Sequence, residues 1–189
     1  LTSGPNFATT LAGATATVNV KLTASEAVAA ATTANALLLA NGGIVLSGAG
    51  LTLDLGTVIS AGAGNQITNA TLSIGGANEG LVYVNELGNL TIASPISGAG
   101  LNLGKAGKGL LTLSGANTYA GATRVTSGIL RGENNTAFGS TNLGTNVSFG
   151  ATVELAGGIS VPAETLVLIS NGEANLGAVS LRNVSGVNT

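Results

Sequence analysis

The sequence predicts an all-β fold of the parallel β-solenoid type, with coils of about twenty residues. Three observations lead there. Short aliphatic runs alternate with polar residues and recur about every 8 to 12 residues. Gly, Asn and Ser occupy the stretches between them. Peptides recur at long range: SGAGLTL at 47–53 returns as SGAGLNL at 97–103, SGAN follows at 114–117, and a related GGAN stands at 75–78. Strand spacing alone fits a sandwich, a barrel or a solenoid. Internal similarity with small residues at the corners favours stacked units, with the offset of the SGAG peptides amounting to roughly two coils.

Composition agrees with a thin interior. The chain has 189 residues, 44% hydrophobic but only 3% aromatic, with no Trp, Met, Cys or His. The core is therefore expected to be aliphatic. Thirty glycines are present without a three-residue period, and 7% of residues are charged. Disorder needs low hydrophobicity and high charge, so it is disfavoured. Six basic residues against eight acidic ones give a net charge of −2, too little positive charge for a nucleic-acid face. The absence of cysteine removes disulfides and thiolate metal sites. No apolar run reaches the roughly 18–20 residues of a membrane helix. The chain reads as a single solenoid segment, residues 1–189, of a longer repeat polypeptide.

In chain order, residues 1–17 carry little pattern. Val18, Val20 and Leu22 alternate with polar residues and predict a strand. From Ala24 to Leu39 an alanine-rich helix competes, with Ser25 as a possible N-cap. Two threonines and the lack of a polar stripe favour an irregular rung with a strand near Ala36–Leu39. Regular alternation follows at Leu51/Leu53/Leu55, Leu72/Ile74, Val82/Val84, Leu90/Ile92, Leu101/Leu103, Leu111/Leu113, Val125, Leu130, Val147/Phe149, Val153/Leu155, Leu166/Leu168 and Val179/Leu181. Arg124, Glu154 and Arg182 are read as outward partners. Eight or nine coils would give a rod on the order of 40 Å long.

The stretch from 96 to 130, centred on KAGKGLLTLSGANTYAGATRVTSGIL, resembles the autotransporter-associated β-strand repeat of large bacterial surface proteins. The matching positions are Leu101, Lys105, Gly107, Gly109, Leu111, Leu113, Ser114, Gly115, Asn117, Thr118, Tyr119, Gly121, Thr123, Val125, Gly128 and Leu130. The resemblance implies a right-handed parallel β-helix displayed outside the cell or at the bacterial surface. It implies a structural rod, forming or extending a fibre or a passenger stalk. The expected partners are adjacent repeats or further copies stacked end to end. An adhesin that recognises glycans or other surface proteins is the alternative.

Catalytic chemistry has few candidates. The acids are Glu26, Asp54, Glu79, Glu86, Glu133, Glu154, Glu164 and Glu173. A β-helix hydrolase needs clustered carboxylates, whereas Glu79 and Glu86 should lie at opposite ends of one strand. Gly98-Ala99-Gly100 precedes a strand rather than a helix N-terminus, which disfavours a phosphate loop. No catalytic residue, metal site or cofactor is assigned, and a β-helix carbohydrate-active enzyme is the least favoured reading. Lys105 and Lys108 are expected to be surface turn lysines. Tyr119 is expected to pack over a corner rather than to contact a ligand, and Asn117 to hydrogen-bond backbone groups there.

Overall fold

The computed structural model describes residues 7–74, 79–140, 143–169 and 179–189. Among these are nineteen strands and no helix, and every strand pairing is parallel. They stack as a β-solenoid of about 7 turns, with roughly 21 residues per turn. Parallel stacking explains the composition, because each coil satisfies the backbone of its neighbours while small residues turn the corners. No helix of the described residues is long and apolar enough to cross a membrane.

Three ladders form the faces. The first runs through β1 (Phe7–Ala8), β2 (Asn19–Leu22), the C-terminal halves of β4 (Thr32–Leu39) and β6 (Leu51–Ser60), then β9 (Glu79–Val84), β12 (Asn102–Ala106), β14 (Thr123–Val125), β16 (Thr145–Val147) and β18 (Leu166–Leu168). The second joins β3 (Glu26–Val28), β5 (Val45–Gly48), β7 (Asn65–Ile67), β10 (Asn89–Ile92), β13 (Leu110–Leu113), β15 (Gly128–Gly132), β17 (Ala151–Leu155) and β19 (Leu181–Asn183). A short third ladder pairs the N-terminal halves of β4 and β6 with β8 (Leu72–Ile74) and β11 (Ile96–Ser97).

Inward residues stack in columns. On the first face Val20, Leu37, Val58, Val82, Lys105, Val125, Val147 and Leu168 are register partners from coil to coil. On the second, Leu90, Leu111, Leu130 and Val153 do the same and are fully buried. Each buried aliphatic side chain contributes about 1.5–3 kcal/mol.

Several expectations change. The stretch from 24 to 39 carries β3 and β4, as favoured over a helix, but β4 begins at Thr32 instead of near Ala36. The coils number about seven rather than eight or nine, because some steps are long. Leu155 pairs with Asn183 in the next coil, a step of 183 − 155 = 28 residues. The two SGAG peptides do not mark equivalent positions. Leu51 stacks on Leu72 and then on Ile96, whereas Leu101 lies in the turn after β11. The first peptide turns from the second face to the third, and the other from the third to the first. Their likeness encodes a corner, not a coil phase. The GGAN at 75–78 lies outside the described residues.

Alternation also fails in two places. Ala34 pairs with Leu53 and Ala36 with Thr57, so β6 carries extra residues opposite Asn35. This bulge turns Leu55 outward to 61% exposure. Phe149 follows the end of β16 in a turn and is exposed. The core is not purely aliphatic either, since Tyr119 and Phe138 are buried in it. The Phe138 ring fills space left where Gly132 occupies the inward column above Leu113.

Candidate functional site

The repeat signature forms a corner and the coil around it. Lys105 lies on β12 in the inward column between Val82 and Val125, with no exposed surface. This corrects the expected surface lysine. The Nζ donates to the carbonyls of Ala106 at 3.0 Å, Gly107 at 2.6 Å and Ser127 at 3.0 Å. A buried ammonium without partners would be prohibitive, but here its stem continues the aliphatic column while its head satisfies carbonyls of two successive coils. Lys108 does lie on the surface and meets Glu86 at 3.0 Å.

Gly107 has φ of +77°, and a Cβ there would lie 2.1 Å from the Val84 carbonyl oxygen. Both facts require glycine. Gly109, Gly115, Gly121 and Gly128 likewise press against the backbone of the coil below. The signature glycines thus bring coils together at their turns. Leu111, Leu113, Val125 and Leu130 are buried in the core, and Ser114 follows β13 at the next corner.

Asn117 ties three coils together. Its Oδ1 accepts the Ile96 N–H at 2.9 Å, and its Nδ2 donates to the Ala137 carbonyl at 2.7 Å. The backbone N–H of Thr118 donates to Ile96, which carries the bonding onward from the third ladder. Asn65 acts similarly one face away, its Oδ1 accepting the Ile44 N–H at 2.9 Å. Tyr119 is fully buried, and its hydroxyl lies 2.6 Å from Thr123 Oγ1, which donates to the Phe138 carbonyl. Burial pushes the phenol well above its ordinary range, with the Thr123 hydrogen bond opposing. A contact role for Tyr119 is therefore removed. Gly139, at φ +80°, leaves room for its ring, since a Cβ would stand 2.6 Å from a ring carbon. Phe138 and Gly139 escaped the sequence reading because both lie beyond the signature stretch.

Several of the acids are individually bonded. Glu26 accepts the Leu11 N–H and the Thr10 hydroxyl. Glu164 accepts the Thr145 hydroxyl at 2.6 Å, and its carboxyl is pushed up mainly by burial, with that bond opposing. Glu79 is exposed at the start of β9 and Glu86 lies just past its end, while Asp54 is exposed on the bulge. Glu173 lies outside the described residues. Glu154 points outward yet its side chain is fully buried, because Arg131 and Arg182 from the coils on either side both bond it. Among the described residues no three potential metal ligands of the His, Cys, Asp or Glu type gather.

Outside this stretch, the second face carries a shallow groove of about 240 Å³ lined by Gln66, Asn89, Thr91, Thr112, Arg131 and Glu133, among others. Sequence reasoning missed it, because its residues come from four coils and share only a register.

The fold and its corner chemistry define a parallel β-solenoid with turns built on glycine and asparagine. Residues 103–131 match the passenger-associated-transport-repeat family, and the chain therefore carries an autotransporter passenger repeat. It is 33% identical over 143 residues to the Adhesin BmaC autotransporter of Brucella suis biovar 1 (strain 1330), a match covering 72% of this chain and 4% of that protein. No solved structure matches. These findings make the chain part of a cell-surface, extracellular passenger.

Proposed function

We propose that this chain is one segment of a longer surface passenger and serves as its rod, with a mechanical or adhesive task rather than a catalytic one. The observation that carries this is the parallel stack of the described strands, with a passenger repeat built into its inward columns and corners. A stack of this kind is stiff along its axis and offers proteases few unpaired backbone segments.

At the N-terminal end Phe7, on the first strand, is 39% exposed. Leu11 is fully buried at the N-terminal end, its N–H held by Glu26. At the other end Leu168 and Leu181 are 43% and 41% exposed, although Val147 and Val153 below them are fully buried. A further coil stacking there, from the parent chain or from another copy, would bury them.

An adhesive role draws support from the name of the relative, and it makes the rod a carrier of contact surfaces. The test of location is labelling on intact bacteria. A short tag beside Leu87, which is 90% exposed in a turn, should be labelled in the full parent chain without permeabilising the cells. Labelling only after lysis would contradict the proposal.

A further inference from the structure

We propose that the outer groove of the second face binds a neutral, extended oligosaccharide lying along the rod axis. Gln66, Thr91, Thr112 and Arg131 are direct register partners on β7, β10, β13 and β15, so each coil contributes one polar side chain to a single outward column. Coils are about 4.8 Å apart, close to the rise per sugar of an extended glycan. The column therefore offers one hydrogen-bonding group per sugar.

Gln66 is exposed and Thr91 half-buried, while Thr112 is 6% exposed at the groove floor. The side chains of Gln66, Thr91 and Thr112 make no hydrogen bonds to described residues, unlike the asparagines at the corners. Asn89 is oriented at the groove wall by accepting the Gly64 N–H. Arg131 is held from behind, its Nε and Nη2 each 2.7 Å from the buried Glu154 carboxylate, while Nη1 lies 4.0 Å from Glu133. A guanidinium clamped on one edge presents its other donors without further ordering.

Charge and shape choose the ligand class. The charged groups lining the groove are Arg131 and Glu133, which balance, so neither an anionic nor a cationic ligand is favoured. No aromatic lines it and its one large aliphatic residue, Leu110, is half-buried, short of the anchors a protein hot spot would require. What remains are amides, hydroxyls and a carboxylate–guanidinium pair, the groups that bond vicinal hydroxyls. Without stacking on a ring each site is weak, and repetition along a long passenger would supply avidity.

The inference goes beyond the rod and gives the adhesive reading a chemistry. The test titrates the purified chain with cellohexaose, xylohexaose and chitohexaose, and with an oligogalacturonate as the acidic control, following amide NMR shifts. The expected result is saturable binding of at least one neutral hexamer, with Kd on the order of 1 mM, and shifts confined to Gln66, Thr91, Thr112 and their neighbours. Gln66→Ala with Thr91→Val should weaken that binding about tenfold or more, with an unchanged melting temperature. No shift with any neutral hexamer, equal binding by the variant, or preference for the acidic oligomer would overturn the proposal. Host-cell adhesion by the parent chain that is indifferent to this variant would overturn the groove alone and leave the adhesive reading intact.

Discussion

At the scale of single residues, the passenger repeat works by placing polar groups such as Lys105, Asn117 and Tyr119 inside an aliphatic stack and giving them hydrogen-bond partners. Lys105 illustrates this, since its ammonium bonds three carbonyls at a corner where the ladders end. Lys105→Met keeps the stem in the Val82–Val125 column and strands those acceptors. Destabilisation of about 1–3 kcal/mol is expected in urea unfolding, and a variant as stable as the parent would refute the role given to the ammonium. Tyr119 and Gly139 form a matched pair, so Gly139→Ala should destabilise through both its positive φ and the ring behind it. The phenol of Tyr119 has its proton affinity raised in the folded state, so its contribution is complete below the ordinary tyrosine range and is lost as pH rises through the folded value. Alkaline unfolding of the native chain should therefore start at a lower pH than that of Tyr119→Phe. Glu164 has the same sign in the acidic range: its carboxyl is raised by burial, so protonation favours the fold and the benefit fades as pH rises through the raised value. Glu164→Gln should therefore be at least as stable as the parent at neutral pH when the two are melted side by side.

At the scale of elements, coil length varies but register does not. The ladder tolerates the β6 bulge and the long step from β17 to β19 because each strand needs only three to five aligned residues to keep its column. Hydrogen exchange should be slowest in β10, β13 and β15, which have neighbours on both sides, and fastest in β18 and β19. Equal protection across all of them would argue against a stack open at that end. The strands themselves were readable as alternating pairs such as Leu90/Ile92 and Leu111/Leu113, because period-two burial is local. What could not be read was which corner a peptide makes. SGAGLTL and SGAGLNL look alike because tight turns reuse the same small residues, and only the pairing of Leu51 with Leu72 and Ile96 separates them. Lys105 was misread for a related reason: a lysine between glycines suggests a solvated turn, and its three acceptors are known only once the next coil is in place. The second-face groove was invisible because Gln66, Thr91, Thr112 and Arg131 are brought together by stacking alone.

At the scale of the whole molecule, the account is of a rod in which sequence distance converts into axial distance one coil at a time. Asn19, Ala36, Thr57, Leu81, Gly104, Arg124, Asn146 and Val167 form a single outward column on the first face. The chain has no cysteine, so introduced pairs can be spin-labelled cleanly. The most direct test is pulsed electron–electron distance measurement between a label at Asn19 and a second at Arg124, Asn146 or Val167. The account predicts separations of about 24, 29 and 34 Å, growing by about 4.8 Å per coil. Distances that fail to increase in that order, or that scatter without a defined maximum, would contradict the parallel solenoid itself.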